Sequence, residues 1–269
     1  NLKYNLNDKN SLRLGASKTY TLPQAKEISP YRYVGVNFNS QGNPNLKPSD
    51  HYNLDLKWDF NPTPTELISL TAFYKLIKNP ISRIEVASAG GYLSYENIAD
   101  KATVAGVEIE IRKNLFVRPV SNAAHGMNKL SLGLNGSYIY TNAKMPLATV
   151  TTGSQLEGAA PWIVNFDLSH NFTKGERSFV NTLVLNYVSD KIYTIGTQGY
   201  QDMMEQGVLT LDFVSQAKLN KHLSLNLKAR NLLNPSYKLS RKANENGEKV
   251  ILNDYKKGIN ISLGVSCTF

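Results

Sequence analysis

From Ile259 to Phe269 every odd-numbered residue is apolar, and every even-numbered residue is small or polar. The alternation runs unbroken to the last residue. Strict period-2 alternation admits an extended strand with one dry face and one wet face. It leaves open which face looks inward. A soluble sandwich packs the apolar face into a core, whereas a membrane barrel turns it out to lipid and lines a wet lumen with the polar face. The rest of the chain has to decide between them.

The same pattern recurs along the sequence. Tyr52, Leu54, Leu56, Trp58 and Phe60 alternate with Asn53, Asp55, Lys57 and Asp59. Val107, Ile109 and Ile111 alternate with Glu108, Glu110 and Arg112. Comparable series run through Leu130–Tyr140, Trp162–Phe172, Phe179–Tyr187, Leu209–Phe213 and Leu223–Ala229. Residues 11–20 and 66–77 fit less cleanly, and Leu2–Leu6 reads as a truncated strand. The count is about ten strands of roughly 10–14 residues plus the short one, where globular strands average about 5–6. Such lengths suit tilted membrane spans of about 9–11 residues with extensions. Short links at Asn7–Asn10, Asn61–Thr65, Lys174–Arg177 and Asn220–His222 alternate with long ones at Thr21–Asp50, Asn142–Ala159, Ile195–Met204 and Asn234–Lys256. The links at Ser88–Asn97 and Asn114–Met127 fall between these extremes. Short turns at one rim and long loops at the other is the outer-membrane pattern.

The polar parity carries charge of both signs: Asp55, Lys57, Glu108, Glu110, Asp167, Asp212, Lys228 and Arg230. These eight are expected to line a hydrated lumen. Tyr20, Trp58, Phe60, Tyr138, Tyr140, Trp162, Phe172, Tyr187 and Phe269 cluster toward strand ends, as interfacial girdles would. A polar mean hydropathy is no argument against a membrane, because alternating strands average it out. No apolar run approaches the roughly 18 residues of a membrane helix. The N-terminus has no signal-like region, so the chain is expected to be a mature segment or a fragment. The net charge of +9 is scattered, and no nucleic-acid motif accompanies it.

Catalytic chemistry finds little support. His51, His125, His170 and His222 lack metal-ligand spacing, and no nucleophile elbow or phosphate loop is present. The reading is a non-enzyme without cofactor or metal. The single cysteine, Cys267, lies on the apolar parity of the last strand.

Four ordered stretches resemble the C-terminal half of a TonB-dependent outer-membrane receptor barrel. They are SLRLGASKTYTLPQAKEISPY with GNPNLKPSDHYNLDL, TAFYKLIKNPI with ENIADKATVAGVEIEI, LEGAAPWIVNFDLSH, and ARNLLNPSY leading to the terminal strand. Ser49 departs from the glutamate usual in the first. The combination is similar to receptors of Bacteroidetes-type bacteria. The resemblance implies an all-β, antiparallel transmembrane barrel segment, about 10–11 long strands of a roughly 22-stranded barrel. Residues 1–269 would be its C-terminal part, with the plug domain and N-terminal strands absent from this chain. It further implies a bacterial outer-membrane receptor that imports a scarce solute (siderophore, cobalamin, glycan or peptide) with energy coupled through TonB. Implied partners are the rest of the receptor, the TonB complex acting on the plug, outer-membrane lipid, the barrel-assembly machinery and a surface lipoprotein; nucleic acid is not among them. Phe269 would be the assembly signal.

Ligand contacts belong on the long loops. There the aromatic and basic candidates are Tyr31, Arg32, Tyr33, Tyr200, Tyr237 and Arg241. Two competing readings are a self-contained barrel of about ten strands, acting as a porin or an omptin-like surface protease with Asp50–His51 at its rim, and a soluble β-sandwich binding module.

Overall fold

The structure is a computed structural model that describes residues 1–86, 91–120, 126–145, 154–243 and 247–268. In chain order its elements are β1 (Leu2–Asn7), β2 (Asn10–Thr21), a one-turn helix α1 (Ala25–Ile28), β3 (Arg32–Tyr33), β4 (Ser40–Gln41), β5 (Ser49–Phe60) and β6 (Leu67–Lys78). There follow β7 (Ile81–Val86), β8 (Tyr92–Asn97), β9 (Lys101–Pro119), β10 (Met127–Ala143), β11 (Trp162–Lys174), β12 (Arg177–Val188) and β13 (Lys191–Thr194). The last are β14 (Met203–Glu205), β15 (Val208–Lys218), β16 (Leu223–Arg230), β17 (Ser236–Lys242), β18 (Lys249–Lys256) and β19 (Asn260–Cys267).

Eleven strands form one antiparallel meander, in the order β1-β2-β5-β6-β9-β10-β11-β12-β15-β16-β19. The sheet does not close on itself: β1 and β19 are its two edges among the described residues. Its short turns are made locally. The Asn7 carboxamide accepts the N–H groups of Lys9 and Asn10, and that of Asn220 accepts those of His222 and Leu223. Between β5 and β6, the Glu66 carboxylate accepts the Asn114 N–H at 3.1 Å and draws Lys113 to 3.4 Å.

The register carries one face from strand to strand, and the one-residue shifts, at Leu130–Ser131 between β9 and β10 and at Asn5–Asn7 between β1 and β2, fall near the short-turn rim. Leu56, Ala72, Val107, Tyr138 and Trp162 stand in one cross-strand row. Leu132, Leu168, Leu183, Phe213, Ala229 and Ile261 stand in another. The apolar parity of every wall strand is therefore one continuous face, and most of it is exposed. The eight described aromatics expected at strand ends all lie on it. Trp58 and Phe60 stack at 6.2 Å, Phe172 and Phe179 meet at 6.4 Å, and Tyr138 and Trp162 at 4.6 Å. Trp162 and Phe172 lie ten residues apart on β11. That is about 33 Å of strand, or about 25 Å of height at a barrel tilt of about 40°, matching the apolar band of an outer-membrane barrel. Phe269 and His125 lie outside the described residues.

The long connections depart from the expectation of loops. Five connections stand at the rim opposite the short turns, and among the described residues four of them, between β2 and β5, β6 and β9, β12 and β15, and β16 and β19, contain strands, which build a second layer there. One four-stranded sheet runs β3-β4-β8-β7 and the other β13-β14-β17-β18. A parallel bridge between Ile84 and Ile195 joins them: the Ile195 N–H donates to Arg83 O at 3.0 Å, and the Glu85 N–H to Ile195 O at 3.1 Å. The result is a continuous cap sheet. These segments form strands despite lengths of two to eight residues because hairpin pairing within each connection is extended across connections by β4 with β8, β14 with β17 and Ile84 with Ile195.

The larger hydrophobic core lies under this cap, not in the wall. Ile84, Ile192 and Ile195 from the cap pack with Ile98, Ala102, Ala143 and Leu156. Ala102 and Ala143 face each other at the top of β9 and β10, on the parity opposite the apolar wall face. The cap is thus folded over the polar side of the wall.

Candidate functional site

The polar face is the first candidate surface. Asp55, Lys57, Glu108, Glu110, Asp167, Asp212, Lys228 and Arg230 all fall on this one face by register. Several are already partnered. Arg112 grips Glu110 at 2.8 Å, and Asp59 sits between Arg13 at 3.3 Å and Lys57 at 3.5 Å. The Asp212 carboxylate accepts the Asn231 N–H at 2.8 Å. Across four strands the carboxamides form a chain. Asn186 donates to Asn165, Asn165 to Asn135, and Asn135 to Glu108 at 2.6 Å. Two glycines make room on this face. A Cβ on Gly133 would meet Asp167 Oδ1 at 2.0 Å, and one on Gly106 would meet the Phe73 ring at 2.4 Å and Tyr138 O at 2.5 Å. A groove of about 400 Å³ runs beside Glu110, Arg112, Lys129 and Asp167. Such a face is hydrated, carries both signs of charge and gives a polar solute many exchangeable partners.

The cap is the second. Its face toward the wall presents Ile84, Ile192 and Met204, so the alternate residues look away from the wall. Those include Arg83, Glu85, Tyr95, Glu205, Leu239 and Tyr237. Arg83 lies over the Tyr193 ring at 4.4 Å and pairs with Glu157 at 3.2 Å. Arg241 lies over the Tyr200 ring at 5.2 Å and is ion-paired to Glu85. Burial holds the Glu157 carboxyl above the usual glutamate range, against the opposing pull of the Arg83 N–H and guanidinium. Burial likewise raises the Tyr95 phenol. Two partly buried arginines are thus already neutralised by carboxylates from other connections.

The six loop candidates do not converge. Tyr31, Arg32 and Tyr33 lie in or beside β3, at one edge of the cap sheet; Tyr31 is 76% exposed, and Arg32 covers the Tyr92 ring at 5.5 Å. Tyr200 and Arg241 form the stacked pair just described. Tyr237 lines a hollow of about 470 Å³ with Phe38, Tyr193, Glu205, Asn253 and Tyr255, and Arg241 lines a separate one of about 310 Å³ with Met204, Lys242 and Lys249. The five around Tyr237 have no local motif. The pairings of β17 with β18, β14 with β17 and β13 with β14, and the packing of Phe38 on Tyr193, bring them together.

His51 and Asp50 are adjacent on β5, so they point to opposite faces of the wall. The His51 ring bonds Thr21 Oγ1 at 2.9 Å, and Asp50 pairs with Lys18 at 3.6 Å. The dyad required by the protease reading is not formed. His170 bonds Asn128 at 2.8 Å and His222 bonds Thr268 O at 2.7 Å. Among the described residues no cluster of three His, Cys, Asp or Glu side chains is placed to hold a metal. Cys267 is exposed on the apolar face of β19.

The family model described as "TonB dependent receptor-like, beta-barrel" matches residues 1–232. The chain belongs to the TonB-dependent receptor family. This receptor chain is 25% identical over 219 residues to the iron-regulated outer membrane virulence protein of Vibrio cholerae serotype O1, covering 78% of the chain and 31% of that protein. Its fold matches the ferric enterobactin receptor of Pseudomonas aeruginosa, with a TM-score of 0.62 at 16% identity over 99% of this chain and 40% of that one. It also matches the ferric yersiniabactin uptake receptor of Yersinia pestis, with a TM-score of 0.62 at 15% identity over 99% and 36%. The receptor chain spans about a third of the curated relative. Membership places it in the bacterial outer membrane, with the apolar face toward lipid and the polar face toward the lumen. The soluble-sandwich reading is thereby set aside.

Proposed function

We propose that the chain is the C-terminal part of a receptor that imports a scarce solute across the outer membrane, with energy delivered through TonB. The observation that carries this is the pairing of a polar-lined wall with a built cap that leans over it. A passive pore has no use for a buried, ion-paired roof over its lumen. A receptor must bind its solute on the outside and hold it until the path opens. In this reading residues 1–269 supply the lipid anchor, the lumen lining and the solute-facing cap, and perform no bond chemistry. The plug and the N-terminal strands belong to the remainder of the receptor, and those strands would pair with the free edges of β1 and β19. Phe269 serves the barrel-assembly machinery, so its deletion lowers outer-membrane insertion. Unchanged surface levels of the truncated receptor would refute that role.

A strain lacking the receptor is compared with its parent for accumulation of ferric siderophores, cobalamin, glycans and peptides, with and without a protonophore. Loss of one solute class in the deletion strain, and protonophore-sensitive accumulation with surface binding retained in the parent, is the expected result. Equal accumulation in both strains, or uptake indifferent to the protonophore, overturns it; the latter outcome is that of a porin.

A further inference from the structure

The hollow around Tyr237 is not isolated. A second, of about 380 Å³, lies beside Tyr92, Leu93, Asn39 and Glu85, and both are lined by Asn37 and Phe38. Phe38 therefore stands between two neighbouring hollows, on the side of the cap that looks away from the wall. The first is walled by flat rings. Tyr237 and Tyr255 stack across β17 and β18 at 5.5 Å with 20° between planes, and Phe38 meets Tyr193 at 6.4 Å.

The polar groups between the rings are of one kind. The side-chain carboxamides of Asn37, Asn39 and Asn253 make no hydrogen bond to another described residue. Each can both donate and accept. The charged groups in the lining are spoken for: Glu205 pairs with Lys191 at 3.4 Å, Lys238 with Asp254 at 3.8 Å, and Glu85 with Arg241. Lys257 and Arg32 lie outside the lining, over the rings of Tyr237 at 3.8 Å and Tyr92 at 5.5 Å. A compact anionic chelate would require unpaired cations inside the hollow, and the nearby, partly buried guanidiniums of Arg83 and Arg241 are already neutralised by Glu157 and Glu85.

Flat rings and free carboxamides, with the charges of the lining itself paired, match the two surfaces of a sugar ring, whose C–H faces lie on aromatics and whose hydroxyls bond amides. Two neighbouring hollows sharing Phe38 match a chain of such rings. We propose that the cap binds a neutral oligosaccharide, with successive units on either side of Phe38. This rests on the import reading and names its solute class.

The test uses the full-length receptor purified from outer membranes in detergent, presented to an immobilised array of unbranched neutral oligosaccharides, with ferric enterobactin titrated in parallel. Retention on the array is expected, with affinity changing less than about twofold between low and high salt, since no ion pair forms. Tyr237→Ala and Phe38→Ala are each expected to weaken it about tenfold, and Tyr237→Phe to stay within about twofold of wild type. Both alanine variants are checked for wild-type hydrogen-exchange protection in β11 and β12, which reports folding independently of binding. A silent array overturns the proposal, as does retention that both alanine variants leave unchanged, or retention abolished by salt. If the array is silent and ferric enterobactin binds, the saccharide site falls and the import reading stands.

Discussion

Replacement of Ile195 by alanine tests whether the cap is a cooperative unit laid over the wall. Ile195 is 0% exposed, sits in the core beneath the cap and closes the bridge between its two halves. The change removes three carbons, worth about 0.8 kcal/mol each, or about 2.4 kcal/mol of transfer free energy. The cavity left behind adds to this, so about 3 kcal/mol is a fair total within the observed range of about 2–5. That loss falls on cap opening, because among the described residues the backbone hydrogen bonds joining the two halves of the cap run through Ile195, while the wall ladders are untouched. Opening should become about a hundredfold more frequent, at about 1.4 kcal/mol per factor of ten. Hydrogen exchange of the full-length receptor in detergent reads this directly. Peptides covering 81–86 and 191–197 hold the Glu85 and Ile195 amides and should lose protection by about that factor, while peptides within 163–187 keep theirs. Less than a tenfold change at the two amides would refute the view that this bridge holds the cap together. Equal acceleration in β11 and β12 would refute the separation of cap from wall.

The two faces of β12 should respond oppositely to the same residue. Leu183→Arg places a cation on the lipid side and should cost about 2–4 kcal/mol near the midplane, seen as a fall in folded outer-membrane receptor, while Thr182→Arg, on the lumen side, should leave the level near wild type. Gly133→Ala should cost about 1–3 kcal/mol, because its Cβ needs the space that the Asp167 carboxylate holds, and Asp167→Gly in the same chain should recover most of the lost folded yield. The Glu157 carboxyl is raised in the folded cap, so the folded state takes up its proton before the open state does. Cap protection, corrected for intrinsic exchange, should therefore rise as pH falls from the raised value toward the ordinary glutamate range and fall as pH rises through it. Glu157→Gln should remove that component.

The wall was legible because its rule is local. Period-2 alternation needs no knowledge of partners, and eleven strands, their two faces and the unequal rims follow from reading parity along the chain. Even β6 and β2, where the pattern is blurred, have regular neighbours that hold them in register. In β6, Phe73 lies on the polar side because Gly106 opposite makes room for its ring, a fact about the partner strand. The cap was not legible, because β3, β4, β13 and β14 are two to four residues long and have no period to read. Each pairs first with a short strand of its own connection, and β4 and β14 pair further with β8 and β17, dozens of residues away. The same holds for the candidate site: Tyr237 was visible as an aromatic in a long connection, but Tyr193, Phe38 and Tyr255 become its neighbours only through strand pairing and cap packing.

Sequence alone determined that this chain makes a long-stranded wall with one face for lipid and one for water, since side-chain direction in a strand is a property of each residue and the next. Tertiary structure alone decided that the long connections assemble into a sheet, fold over the wet face and bring distant aromatics around Phe38. Those contacts depend on burial shared among residues far apart in the chain, which no local pattern records.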